Sequence, residues 1–300
     1  MLGPRQKENA MQDYVIMTDS SCDLPDDLAQ ELQLSVLPLT FQVNGHEYAN
    51  YLDGRELGFK EFYAAVRGGE QSVTSAVNMD SWMQGMRDEL DAGHDILVLA
   101  FSSGLSNTYN AAQLAAKELK PAYPQRKIYV VDTLSASLGQ GLLVTLAAEK
   151  KKQGLTIEAV RDYAEQTKLH LCHWFTVDDL GHLKRGGRIS PAVALVGTML
   201  GIKPVMHMDN EGHLVKVGTA KGRLASLRAL VDHMEQLAID PRSQTVYISH
   251  GDSLEDAERV ADMVKKRFGC KTVLLNYVGP VIGAHSGPGT IALFFVGRER

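Results

Sequence analysis

Apolar positions in the first half of the chain form short aliphatic runs separated by longer amphipathic stretches. The runs at residues 14–17, 96–101 and 127–131 have the length and composition of buried strands, and each leads into a stretch with helical spacing. Residues 59–66 and 80–90 also show helical spacing. Because strand and helix alternate, the pattern predicts a mainly parallel sheet with helices on both faces.

Hydroxyl-rich turns accompany several of these helices. The first strand runs into TDSSCDLP, the strand at 96–101 runs into Ser102 and Ser103, and SVTSAVNMD precedes the helix at residue 80. The spacing predicts a helix from Leu105 onward, so the two serines would lie at a helix start, where free N–H groups favour a small anion. The alternative is that they are ordinary N-caps. Since ligands of parallel sheets lie at the carboxyl ends of the strands, these turns are expected to share one crevice.

Two hairpins are predicted, one at Asn44-Gly45 and one at residues 210–212, because each turn separates two alternating runs. The second hairpin belongs to a half of the chain with further strand-like runs and an amphipathic helix at residues 224–237. A hairpin mixed with helices and strands indicates a mixed sheet.

The expected fold class is therefore α/β with two domains, and a chain of 300 residues is at the size where single cores stop growing. Residues 14–165 are predicted to form an N-terminal three-layer α/β domain with a mainly parallel sheet. Residues 166–300 are predicted to form a smaller C-terminal α/β domain with a mixed sheet. Residues 1–13 are polar and are expected to be a disordered start or a remnant of cloning.

Charge and cysteine usage exclude several classes of function. The net charge is −5 and the basic residues are dispersed, which argues against nucleic acid as a partner. Cys22, Cys172 and Cys270 form no CxxC pair, and an odd number favours a reducing compartment, so a cytoplasmic location is expected. No apolar segment reaches 18 residues, so stable membrane insertion is not expected. The absence of a large apolar surface pattern predicts a monomer.

A glycine-rich segment, GPVIGAHSGPGTIALFF, lies near the end of the chain. Its glycines would let the backbone approach a ligand closely, and His285 with Ser286 would supply polar groups beside that backbone. The alternative interpretation is a plain tight turn.

These motifs, taken in order, resemble the DegV family of bacterial fatty-acid-binding proteins. The resemblance rests on TDSSCDLP, SVTS, SSGLSNTYNAA, VDTLSASLGQGLLV, LKRGGRIS and GAHSGPGTIALFF, and it covers residues 14–297. It implies two α/β domains that enclose one long-chain fatty acid. It also implies a role as the lipid-presenting subunit of fatty acid kinase in phospholipid metabolism, where a separate ATP-dependent kinase phosphorylates the bound carboxylate. Asn107 stands where the commoner motif SSGLSGTY has glycine.

The resemblance also implies roles for particular residues. Those expected to bind the carboxylate are Thr74, Ser75, Ser102, Ser103, His285 and Ser286. Arg188 is expected at the mouth of the site. Together with Lys184 and Arg185 it could receive an acyl phosphate or contact the kinase, although short basic clusters are usually solvated surface.

The apolar tail is expected to dominate affinity. Each buried methylene contributes roughly 0.8 kcal/mol, so about fourteen of them contribute on the order of 11 kcal/mol before the costs of binding. An apolar helix starting at Pro191 is a candidate tunnel wall, with plain core as the alternative. The wall residues would be Val193, Val196, Met199 and Leu200.

The main alternative function is a serine hydrolase acting on a lipid or acyl substrate, since Ser102, His285 and Asp19 are a nominal triad set. However, no G-x-S-x-G elbow surrounds the serines, and no nucleotide-binding loop is present. A non-catalytic binding subunit without a cofactor is therefore expected. His170 and His173 would point to opposite faces of a strand, so no shared metal is expected.

Overall fold

The computed structural model describes residues 13–190 and 201–300. The strands are β1 (Tyr14–Asp19), β2 (Ser35–Leu37), β3 (Thr40–Val43), β4 (His46–Ala49), β5 (Val73–Ser75), β6 (Asp95–Ala100), β7 (Ile128–Asp132), β8 (Leu171–Thr176), β9 (Ile202–Met208), β10 (Leu214–Lys221), β11 (Val246–His250), β12 (Val273–Tyr277) and β13 (Ile291–Val296). The helices are α1 (Asp26–Glu31), α2 (Phe59–Arg67), α3 (Met79–Asp91), α4 (Thr108–Leu119), α5 (Leu138–Lys152), α6 (Ile157–Thr167), α7 (Gly181–Arg185), α8 (Arg223–Leu237), α9 (Leu254–Phe268) and α10 (Pro280–Ser286).

The first sheet has four parallel strands in the order β2-β1-β6-β7. Every residue of β6 is buried, which explains why its sequence is an unbroken apolar run after Asp95. Helices α3 and α4 pack together on one side, and α5 and α6 lie on the other. The predicted α/β class with a parallel sheet is confirmed.

The second sheet has six strands in the order β10-β9-β8-β13-β11-β12. Only β11 and β12 are parallel, so the sheet is mixed, as predicted. The hairpin of β9 and β10 turns at residues 209–213, where Gly212 has a φ of +78°. This hairpin extends the sheet towards the loop that follows β6.

A third, three-stranded antiparallel sheet has the order β4-β3-β5. Its β3–β4 hairpin confirms the Asn44-Gly45 prediction, and both turn residues have positive φ, as a type I′ turn requires. The strand β5 was expected to be a turn. It contains only three residues, so no alternation could reveal it, and its middle residue, Thr74, is half-buried.

Helix α5 lies between the parallel sheet and the mixed sheet and contacts strands of both. Its buried residues cover more than one face, which suits a helix with a sheet on either side. One continuous core therefore spans the two halves of the chain. The predicted domain boundary at residues 165 and 166 falls at the end of α6 and stays a prediction.

Two sequence predictions lie outside the described residues. They are the start of the chain, residues 1–12, and the apolar helix with Val193, Val196, Met199 and Leu200. Within residues 13–190 and 201–300, no helix is both long enough and apolar enough to cross a membrane.

Candidate functional site

A cavity of about 280 Å³ lies between the parallel sheet, the three-stranded sheet and the mixed sheet. Its volume is near the lower end of the roughly 300–1,000 Å³ typical of ligand pockets. Apolar side chains from all these elements form most of the wall, among them Leu39, Phe101, Phe175, Met208, Val281 and Phe294. An apolar cavity with few polar groups suits a ligand that is mainly hydrocarbon.

Thr74 and His285 meet at the wall of the cavity, where Thr74 Oγ1 lies 2.8 Å from His285 Nε2. Strand β5 supplies the threonine, and the last turn of α10 supplies the histidine. Burial, together with the positive charge of Arg188, lowers the pKa of His285 to about 4. The imidazole is therefore neutral at pH 7.

Arg188 also lines the cavity, close enough for its charge to act on His285, and is half-buried. Its Nε donates to the carbonyl oxygen of Leu105 at 3.2 Å, and its Nη1 donates to that of Gly186. Burial lowers the pKa of Arg188, although a guanidinium keeps its charge at neutral pH. In the described part of the chain no carboxylate forms an ion pair with it. Its charge is therefore available to a ligand.

The double glycine before Arg188 allows this arrangement. A Cβ atom on Gly186 would overlap Nδ1 of His285, and Gly187 has a φ of +71°. Both positions thus favour glycine, one for close approach and the other for its left-handed backbone. The LKRGG segment therefore brings α7 and Arg188 against the end of α10.

Eight further polar residues line the cavity, namely Ser75, Ser106, Asn107, Ser137, His173, Ser249, Ser286 and Thr290. Ser75 and Ser286 were predicted site residues, whereas Ser106 and Asn107 were not. The hydroxyl of Ser286 is buried and has no hydrogen-bond partner within residues 13–190 and 201–300. It is therefore free to bind a polar atom of a ligand.

Ser102 and Ser103, in contrast, do not line the cavity. Ser102 Oγ donates to the carbonyl oxygen of Gly212 at 2.9 Å and accepts from the amide of Gly104 at 3.2 Å. Ser103 is exposed. Ser102 thus connects its turn to the β9–β10 hairpin. The serine of this segment that lines the cavity is Ser106, rather than Ser102 or Ser103.

The helix predicted from Leu105 begins only at Thr108. The amides of Leu105 and Ser106 both donate to the carbonyl oxygen of Ser102, which closes a separate turn before the helix. Ser106 then accepts from the amide of Thr108 at 3.2 Å. The helix start predicted at Leu105 was therefore wrong by three residues, and the anion site expected at the serine pair stays a prediction. The signal in the sequence that could have identified Ser106 is its position two residues before the start of the helix.

The nominal hydrolase triad is not assembled. The carboxylate of Asp19 accepts from the amides of Phe101 at 2.8 Å and Ser21 at 3.1 Å, and burial raises the pKa of Asp19 to about 6. His285 is bonded to Thr74, and Ser102 to Gly212. No member is hydrogen-bonded to another, so this geometry does not support acyl transfer.

Lys184 and Arg185 lie on α7 and are exposed, but neither lines the cavity. In the described ranges neither forms an ion pair. A search of the same ranges for three or more clustered His, Cys, Asp or Glu side chains that could hold a metal ion finds none.

Residues 13–298 match the family model described as "Uncharacterised protein, DegV family". A DegV domain-containing protein of Clostridium perfringens is 43% identical over 290 residues, which cover 97% of this chain and 99% of the relative.

Solved structures show the same fold. A DegV family protein from Thermus thermophilus, described for its fatty acid binding, superposes with a TM-score of 0.85 at 31% identity, covering 95% of this chain and 99% of that one. The fatty acid kinase (Fak) B3 protein of Streptococcus pneumoniae, loaded with linoleic acid, superposes with a TM-score of 0.82 and the same coverage. Its identity is 19%, so this last likeness concerns the fold alone.

Proposed function

Because this chain belongs to the DegV family, we propose that it binds one long-chain fatty acid in the cavity and presents the carboxylate to a separate ATP-dependent kinase. The observation that carries the proposal is that an apolar cavity is lined by one cation, Arg188, which has no acidic partner in the described part of the chain. We call Thr74, Ser106, Arg188, His285 and Ser286 the head cluster.

The head cluster has the chemistry that a buried carboxylate needs. An ionised carboxylate loses much hydration on burial and must be surrounded by donors. Arg188 offers charge, and Ser286 offers an unpaired hydroxyl. When Nε2–H of His285 donates to Thr74, the threonine hydroxyl proton is free for a ligand oxygen. Among residues 13–190 and 201–300, no acidic side chain lines the cavity to repel the ligand.

The tail would supply most of the affinity. Each methylene that packs on the apolar wall contributes roughly 0.8 kcal/mol, whereas a net hydrogen bond contributes only about 1 kcal/mol. The head cluster would therefore determine the orientation of the ligand rather than its total affinity.

Native mass spectrometry followed by lipid extraction tests the binding proposal. We expect a one-to-one fatty acid adduct on the wild type and a weakened adduct on the double variant Thr74→Val with Ser106→Ala. Thr219→Val, the same change on exposed strand β10, is the control. A wild-type protein that carries no lipid and takes up no added long-chain fatty acid would overturn the proposal.

Presentation to a kinase is supported by the position of Lys184 and Arg185. Both are exposed, and they precede Arg188 in the sequence by four and three residues. They would contact the partner or the acyl phosphate while the chemistry takes place on the separate kinase. The present chain would then be a non-catalytic subunit.

Acyl-phosphate formation in the presence of a fatty acid kinase and ATP tests this second step. The double variant Lys184→Glu with Arg185→Glu should keep its lipid but support phosphorylation at least tenfold more slowly, because like charges then face the phosphate. Lys265→Glu with Lys266→Glu on α9 makes the same charge change elsewhere. Equal turnover of both variants would contradict a kinase contact on α7.

A further inference from the structure

The cavity follows one face of strand β13. Thr290, which immediately precedes the strand, lines the cavity together with Ala292 and Phe294. Alternate residues of a strand point to the same face, so these three side chains form one row. Because a strand rises about 3.3 Å per residue, Phe294 lies roughly 13 Å from Thr290 along the row. The row therefore gives the cavity a measurable length.

The head cluster lies beside the Thr290 end of this row. Thr290 Oγ1 is 3.0 Å from the carbonyl oxygen of Ser286. Ser286 and His285 are the last two residues of α10, and His285 in turn meets Thr74. A carboxylate held by these residues would lie near the start of β13, and the rest of the row is left for the hydrocarbon tail.

Phe294 and His173 close the far end of the row. They are partners in the antiparallel register of β13 and β8, and their rings meet edge to face with centroids 5.3 Å apart. Both line the cavity and are buried. The next residues on the same face of the two strands are Val296 and Leu171, which pair with each other and do not line the cavity. The cavity therefore stops at Phe294 and His173, which we call the end wall.

The end wall is supported from behind by the central helix α5. The Nε2 atom of His173 lies 3.5 Å from the amide of Ala136, and a Cβ atom on Gly139 would overlap the same ring nitrogen. On its other side, Nδ1 of His173 lies 2.9 Å from the carbonyl oxygen of Leu171. The imidazole is thus fixed between α5 and its own strand, and it holds the ring of Phe294 in place.

A fixed aromatic ring at the end of an apolar cavity limits the length of the ligand. While room remains, each added methylene should improve affinity roughly fourfold, because it removes further apolar surface from water. Once the chain reaches the ring, a further methylene has to displace close-packed side chains, which is unfavourable. The gain per methylene should therefore end at the end wall.

We propose that Phe294 sets the upper limit of acyl-chain length, with the methyl end of the fatty acid resting against the end wall. The inference rests on the proposed fatty acid binding and adds selection by chain length to it. Phe294 is the specificity-determining residue, and His173 positions its ring.

Dissociation constants for lauric, myristic, palmitic, stearic and arachidic acid, measured by displacement of a bound fluorescent fatty acid, test the inference. On the wild type, affinity should rise along the series and then level off or fall. On Phe294→Leu the rise should continue to the next longer acid, because leucine is the smaller side chain. That acid should bind the variant up to about sixteenfold more tightly than the wild type, since it differs from its predecessor by two methylenes.

Phe295→Leu is the matched control. Phe295 is the next residue of β13, is fully buried, and packs in the core on the opposite face of the sheet, outside the cavity wall. It carries the same substitution in the same strand, so a general loss of packing would affect both variants. The control should keep the chain-length profile of the wild type. If Phe294→Leu keeps that profile as well, the inference is overturned.

The remaining outcomes separate this inference from the proposed function. If the wild type binds none of the five acids, fatty acid binding itself fails. Should Phe294→Leu not fold, palmitic acid with a photoreactive diazirine at its methyl end decides on the wild type. Its cross-links must fall on β8 or β13, and cross-links confined to other segments would show that the chain ends elsewhere.

Discussion

In the proposed function, recognition of the carboxylate depends most on Arg188. Its guanidinium is half-buried, and in the described part of the chain its hydrogen bonds go to backbone carbonyls rather than to an acid. A partly buried cation without a counter-ion is unfavourable by itself and gains most from an anionic ligand. Bound fatty acid would therefore remove a cost that the empty cavity carries.

Replacing Arg188 with glutamine should lower affinity for a fatty acid anion by roughly tenfold, because a charge-assisted bond contributes about 1.5–3 kcal/mol. Isothermal titration with palmitic acid and with its uncharged methyl ester measures the effect. Arg185→Gln, outside the cavity wall, is the control. If the ester loses as much affinity as the acid, the guanidinium acts through packing rather than charge.

At the scale of elements, the turn after β6 packs against the tip of the β9–β10 hairpin. A Cβ atom on Gly212 would overlap Ser102 Oγ, and one on Gly104 would lie 2.6 Å from the carbonyl oxygen of Gly212. The turn that carries Ser106 to the cavity is thus supported from outside by the hairpin tip. Ser102 positions the site without touching its cavity.

Gly212→Ala should destabilise the protein by about 2 kcal/mol more than Gly45→Ala. Both glycines have similar positive φ, +78° and +76°, so both substitutions carry the same backbone cost of about 1 kcal/mol. Only Gly212 adds a steric overlap, whereas nothing lies within 4 Å of a Cβ on Gly45. Urea unfolding measures the difference, and adding Ser102→Ala should recover part of it. Equal losses for the two glycines would show that the hairpin contact is unimportant.

The sequence predicted elements where a periodic pattern was long enough. The buried run of β6, the hairpin at Asn44-Gly45 and helix α3 all follow from apolar spacing or turn chemistry. Strand β5 is too short to show a period, although it places Thr74. The choice between Ser102 and Ser106 depended on a contact with Gly212, more than 100 residues away, which no local pattern encodes.

At the scale of the whole molecule, the cavity is assembled from both halves of the chain. Thr74 comes from the first half, and Arg188 and His285 come from the second. Asp23 joins the halves beneath the cavity: its carboxyl group binds Ser137 and the amide of Gly279, and its carbonyl oxygen accepts from Asn276 at 2.8 Å. This one buried residue therefore links the two halves of the chain next to Ser137, which lines the cavity.

Asp23 should make the stability of the whole fold depend on pH. Burial raises the pKa of Asp23 from 3.8 to about 8, so between these values the folded protein binds one proton more than the unfolded chain. The contribution of Asp23 to stability is fully present below pH 3.8, the pKa of the unfolded chain, and it is lost as the pH rises to about 8. We expect the free energy of unfolding of the wild type to fall by up to about 1.4 kcal/mol per pH unit on this account.

Asp23→Asn should remove that slope, because asparagine resembles the neutral acid and can still accept from Gly279 and donate to Ser137. Denaturant unfolding of both proteins between pH 6.5 and 8 isolates the effect as a difference in slope, because the other titrating groups are common to the two. These groups include the histidines whose pKa is lowered by burial and which therefore gain protons on unfolding in the lower part of this window, namely His173, His182, His207, His233, His250 and His285. Asp262→Asn on the exposed face of α9 controls for the loss of one carboxylate. If wild type and Asp23→Asn have the same slope across this window, Asp23 is ionised in the folded protein, and the bond with Ser137 is that of a carboxylate.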